Sequence, residues 1–166
     1  SGVHSSLAVG LYSSFPYVIS VVSMAYWSAR SDRLKERSFH CYAPALLASL
    51  CFLLTTIIPD IFVLKMIVLA GATAGIYASY VVFWAMAANV FQGSAATGGF
   101  ALINAIGLWG GVISPMVVGK LTSLTGTLSA GMVCMAITVA VGAVILWSVT
   151  RRITAPSGPS IPSEIL

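Results

Sequence analysis

The sequence predicts an all-α, polytopic membrane protein of five transmembrane helices, and three observations predict it. Hydrophobic residues make up 58% of the 166-residue chain and charged residues 7%, against roughly 45–50% and about 25% in an ordinary soluble domain. The apolar residues fall in five unbroken runs, each close to the ~20 residues that a helix needs to cross the hydrocarbon of a bilayer. Half of the 12 charged residues are gathered in a single stretch, SARSDRLKER, from Ser28 to Arg37. A soluble core could not bury so much apolar sequence. Barrel strands would alternate over about ten residues, whereas these runs are continuous and longer, so helices satisfy the backbone in lipid.

The first run, Ser6 to Ala29, has no basic segment before it and exceeds the 7–15 apolar residues of a signal peptide, so it is a true span. Pro16 within it removes a backbone donor and is expected to kink the helix near its middle. The second run, Cys41 to Pro59, and the third, Ile61 to Ala87, are separated by so tight a turn that they form an antiparallel pair. Lys65, about one turn into the third span, can snorkel its ammonium outward. A small-residue, uncharged loop from Ala88 to Gly99 leads to the fourth run, Gly98 to Val118, and the fifth runs from Leu128 to Val149. Residues 1–150 thus read as one membrane unit. Residues 151–166, with proline, glycine and serine interleaved and no apolar period, read as a disordered tail.

The formal net charge of +4 is explained by topology rather than by nucleic acid, for which no partner role is expected. If Ser28 to His40 is cytoplasmic, five alternating spans put Arg30, Arg33, Lys35, Arg37, Arg151 and Arg152 inside and only Lys65 and Lys120 outside. That distribution obeys the positive-inside rule. It places the protein as a multi-pass protein of the plasma (inner) membrane with a cytoplasmic C-terminus. Cys41, Cys51 and Cys134 show no metal-ligand spacing with one another or with His4 and His40. No metal and no cofactor is expected, and His40 reads as an interfacial histidine. The carboxylates Asp32, Glu36, Asp60 and Glu164 all fall outside the apolar runs, which leaves an intramembrane enzyme without an acid or base at a reacting centre. No catalytic residue is assigned. No ring of charge or filter-like loop suggests a selective channel.

What lies within the membrane is polar or aromatic but uncharged. Tyr77, Tyr80 and Trp84 fall at i, i+3 and i+7 on one helical face. Asn104 lies inside the fourth run, where an amide is costly unless it meets a polar partner, a water-filled cavity or a ligand. Gly71/Gly75 and Gly107/Gly111 have GxxxG spacing, which lets helix backbones approach. Together with Ala74, Ala101, Ala105 and Gly110 they predict that the third and fourth spans pack against other helices.

Two stretches carry a family resemblance. WSARSDRLKERSFH, Trp27 to His40, resembles the loop between helices eight and nine of major facilitator superfamily transporters, specifically the anion:cation symporter family. The segment from Phe83 to Gly126, with Phe-Trp, paired glycines, Ala-Leu-Ile-Asn, a glycine run and a closing Thr-Gly, is similar to the same family's tenth and eleventh helices. Leu108 stands where that family usually has an asparagine. The match runs in order from VGLYSSFPY, Val9 to Tyr17, nearly to the end of the chain. The resemblance implies helices eight to twelve of a C-terminal six-helix half, with the N-terminal half of the same transporter supplied from elsewhere. The start at Ser1, without an initiating methionine, is read in the same sense. It further implies proton-coupled uptake of a small organic anion, such as a sugar acid, a dicarboxylate or an aromatic carboxylate, by alternating access. Trp84, Asn104, Tyr80 and Tyr77 are then the expected substrate contacts. Asp32, Arg33 and Arg37 are the expected cytoplasmic gate and charge network. Efflux on the same scaffold, and a non-transporting remnant or membrane partner protein, are the alternatives.

Overall fold

The computed structural model of the chain describes residues 6–93 and 95–154. Five helices follow one another: α1 (Ser6–Leu34), α2 (Arg37–Ile57), α3 (Phe62–Val90), α4 (Ala95–Thr125) and α5 (Leu128–Thr154). The fold is all-α, and α2 to α5 are each long and apolar enough to cross a membrane. At 29 residues α1 has the length as well; serines and tyrosines along it lower its hydropathy.

The helices run further than the apolar sequence predicts. The charged stretch Ser28 to His40, expected as a loop, is almost wholly helical: α1 continues to Leu34, α2 begins at Arg37, and only Lys35 and Glu36 join them. Lys35 makes the reversal in the left-handed region at φ 53°, a conformation that L residues adopt mainly at isolated turn positions. Charged residues at a membrane surface can stay hydrogen-bonded in a helix while their side chains reach water, so the end of an apolar run does not end the helix. The expected 88–99 loop shrinks in the same way to the few residues between Val90 and Ala95, and α5 continues through Arg151 to Thr154. The rest of the tail, residues 155–166, for which disorder is expected, lies outside the described residues. Gly126, at φ 69°, closes α4 by donating its N–H to Thr122 O at 2.9 Å, the left-handed helix ending in which glycine meets no Cβ penalty.

In space α2 is central, flanked by α3 and α5, with α1 laid mainly on α3 and α4 mainly on α5. Among the described residues nine of the twelve buried hydrophobics are alanines, including Ala45, Ala48, Ala72, Ala78 and Ala136. Such a core packs by close backbone approach and not by large interlocking side chains, as expected where lipid removes the hydrophobic drive between helices. Gly71 and Gly75 sit at the α2–α3 seam: a Cβ on Gly75 would lie 2.5 Å from Pro44 O and 3.0 Å from Ala48 Cβ, and one on Gly71 would lie 3.2 Å from Cys51 Sγ. Hydroxyls tie the helices further, Ser23 Oγ donating to Ala74 O at 3.2 Å and Ser49 Oγ to Ala136 O at 2.8 Å. Leu47, Leu50, Val144 and Ile145 are exposed on the outside, where acyl chains would cover them.

At the far end of the bundle Lys65 Nζ lies 2.7 Å from Asp60 Oδ1. That hydrogen bond, and the lysine's charge, hold the Asp60 carboxyl below its ordinary value. The pair's contribution is therefore present above the unfolded carboxylate pKa and is lost as pH falls through the lowered one. Because Asp60 is fully exposed, the effect is local.

Candidate functional site

Trp84, near the charged end of α3, is the centre of an aromatic cluster. Its ring lies 6.0 Å from that of Tyr80, 5.6 Å from Phe83 and 5.7 Å from Phe100 of α4, and Phe100 meets Phe91 at 5.8 Å. The indole Nε1 of Trp84 is buried and has no hydrogen-bond partner, an orphan donor of the kind that needs an explanation. Phe100 is the residue that sequence reasoning missed. The signal was available, because Phe100 is four residues before Asn104 and so on the same face of α4.

From the Trp84–Phe100 contact, Tyr80 lies about one turn back along α3 and Asn104 about one turn on along α4, each about 6 Å away at 1.5 Å per residue. The aromatic stripe of α3 does not converge on one point, however. Tyr77 turns to α1, 6.2 Å from the ring of Tyr17, while Tyr80 and Phe83 line a 270 Å³ cavity with Ala45 of α2 and Val139 and Leu146 of α5.

No described side chain of α4 is buried. Asn104 is exposed, as are Leu108 at 71% and Trp109 at 68%. A Cβ placed on Gly107, Gly110 or Gly111 would meet nothing within 4 Å. The close packing expected of the fourth span is thus not made within these five helices, in contrast to Gly71 and Gly75. Periodicity shows which residues share a face, but not which helix covers it.

At the charged end, Arg37 joins three helices. Its Nη2 lies 3.2 Å from Asp32 Oδ1 in the last turn of α1, and its Nη1 donates to Ala85 O of α3 at 3.2 Å. Asn89 Nδ2 donates to the same carbonyl at 3.0 Å. Arg33 is exposed in the last turn of α1. His40, in the first turn of α2, is buried at 1% exposure, with its ring 5.5 Å from Trp27 and 5.4 Å from Phe39. Its Nδ1 is 2.7 Å from Glu36 O; a carbonyl can only accept, so Nδ1 carries the proton. Among the described residues no three histidines, cysteines or carboxylates come together as a metal site.

The chain is 32% identical, over 160 residues and 96% of its length, to a protein of Agrobacterium vitis named as a tartrate transporter. That likeness is consistent with a C-terminal piece of a major facilitator superfamily transporter. Other relatives are NicT of Pseudomonas putida, named as a metabolite transport protein, 30% identical over 76% of the chain, and a quinolone resistance transporter of Acinetobacter baumannii, 29% identical over 92% of the chain. The chain spans about a third of the length of these relatives, 37%, 29% and 35% in turn. No protein-family model matches the chain, and no solved structure matches it significantly. With its membrane-length helices it is a multi-pass membrane protein, and its relatives are named as transporters.

Proposed function

We propose that these helices are helices eight to twelve of an anion:cation symporter that takes up a small organic anion together with protons by alternating access. The observation that carries the reading is α4: a membrane-length helix bearing Asn104 and the uncovered glycines Gly107, Gly110 and Gly111, with no described side chain buried by its own chain. In transporters of this architecture the substrate site lies near the midplane, between two halves, and a face of small and polar residues left open suits that boundary. Trp84 and Asn104 contact the substrate's hydroxyl or ring portions, with the orphan indole N–H of Trp84 as a donor, and Tyr80 flanks them, while Tyr77 is turned to α1. The two relatives from Agrobacterium vitis named as tartrate transporters favour a hydroxylated dicarboxylate.

Among the described residues Asp32, Glu36 and Asp60 all lie at helix ends or turns. The proton-coupling carboxylate, and an arginine to pair the substrate's carboxylate, are therefore assigned to the remainder of the transporter. The Asp32–Arg37–Ala85 tie holds α1, α2 and α3 together at the end assigned to the cytoplasm of the inner membrane, with Arg33 beside it, and opens in one state of the cycle.

The test is uptake of labelled tartrate and related acids by the full-length protein in proteoliposomes. An inward proton gradient is expected to drive accumulation, and a protonophore to abolish it. Accumulation indifferent to the gradient would contradict symport. The relative named as a quinolone resistance transporter favours a second reading, export of amphiphilic compounds, which the direction of flux in the same vesicles separates from the first.

A further inference from the structure

At the charged end of the bundle a 490 Å³ cavity opens between α2, α3 and α5, with Lys35, Arg37, Asn89 and Arg151 on its wall and Glu36 as its one carboxylate. Its volume is that of a ligand cleft. The Arg151 guanidinium is held 4.6 Å above the ring of Trp147, a cation–π contact that fixes the charge at the rim. Glu36, the N-cap residue of α2, makes no side-chain cap hydrogen bond, and the first turn of that helix, at Ser38 and Phe39, forms part of the wall. The positive end of the helix dipole adds to the cations there.

Directly beneath lies a second cavity of 310 Å³, lined by Tyr42, Leu46, Ala143, Val144 and Trp147. Tyr42 and Trp147 belong to both walls, so the two spaces adjoin. The lower one runs along the outer α2–α5 face, where Leu46 and Val144 are exposed. A cationic cleft at the membrane surface that continues into an apolar groove open to the side has the shape and polarity of a phospholipid. Tyr and Trp at the junction mark the depth of the headgroup boundary.

We propose that this paired cavity binds one anionic phospholipid of the adjacent leaflet, its phosphate between Lys35 and Arg151 and an acyl chain along Leu46 and Val144. A soluble anion would use the cations but has no use for the groove. A zwitterionic lipid would use the groove but gain less from Lys35 and Arg151, the two cations of the wall besides Arg37, which is paired with Asp32. Basic pockets between transmembrane helices are established as headgroup sites in membrane proteins generally. The site lies on the outer face and is separate from the proposed substrate contacts Trp84 and Asn104, so it stands whether or not the transport reading does.

Native mass spectrometry of the full-length protein in neutral detergent, titrated with phosphatidylglycerol or phosphatidylcholine of equal chain length, tests it. The unaltered protein is expected to retain phosphatidylglycerol more tightly. Lys35→Ala and Arg151→Ala should each weaken that binding roughly fivefold, the worth of one cation near an anionic headgroup. Arg151→Lys should keep most of it, and Lys65→Ala and Lys120→Ala, at the opposite end, should leave it unchanged. Both altered side chains are exposed, so the folded protein remains available for the measurement. Phosphatidylglycerol binding unaffected in both alanine variants would overturn the proposal. So would its displacement by millimolar inorganic phosphate or glycerol phosphate, which would make the site one for a soluble anion.

Discussion

Substituting Asn104→Ala in the full-length transporter is expected to lower kcat/KM for organic-anion uptake by roughly 10- to 100-fold while leaving the yield of folded protein unchanged. The amide makes no hydrogen bond among the described residues and is exposed on α4, so the five helices lose nothing when it is removed. Its worth would lie in a hydrogen bond to a charged or hydroxylated substrate, which contributes about 1.5–3 kcal/mol where the partner is ionised, and each 1.4 kcal/mol is about a factor of ten. Initial uptake rates over a range of substrate concentrations give the comparison. Unchanged kinetics would remove Asn104 from the site. A loss of folded protein would instead make the amide an interhelical contact with the part of the transporter beyond these helices.

Gly75→Val should be the most destabilising single change in the bundle. Even one added carbon at Gly75 would meet Pro44 O at 2.5 Å, and that oxygen is backbone, so α2 and α3 must move apart. Overpacking of this kind costs about 1–3 kcal/mol, more than the ~0.5–1 kcal/mol that replacing a helical glycine by alanine returns. The two isopropyl methyls of valine add to the clash. Thermal unfolding in detergent should show a lower midpoint for Gly75→Val than for Gly75→Ala, and for both relative to the unaltered protein. Gly107→Ala is the control: with nothing within 4 Å of its Cβ position, it does not disturb the packing of these five helices. Equal stability of Gly75→Val and the unaltered protein would contradict the close α2–α3 seam.

The helices were legible because bilayer thickness sets a length that five apolar runs meet, and no arrangement of strands would leave those runs unbroken. Their ends were not. Arg30 to Leu34 and Arg151 to Thr154 stay helical because a charged side chain can leave the membrane without taking its backbone with it. His40 read as interfacial from its position after the charged stretch; nothing in the local sequence announces that Trp27, thirteen residues earlier, closes over it. The aromatic stripe was correct in its spacing, yet Tyr77 and Tyr80, only 60° apart around the helix by the 3.6-residue turn, end against different neighbours, Tyr17 of α1 and the cavity walled by α2 and α5. The two GxxxG spacings are indistinguishable in sequence. One meets α2 and the other meets nothing among the described residues, a difference that resides in tertiary contacts alone.

The central claim is that the open face of α4 borders the transport pathway. Its most direct test is thiol labelling of Asn104→Cys in a full-length protein whose Cys41, Cys51, Cys134 and other native cysteines are replaced. A membrane-impermeant maleimide should react with Cys at this position, and saturating tartrate, or whichever organic anion the protein transports, should slow that reaction severalfold. No reaction from either side of the membrane, or a reaction rate indifferent to saturating substrate, would place this face of α4 against lipid or packed protein and contradict the claim.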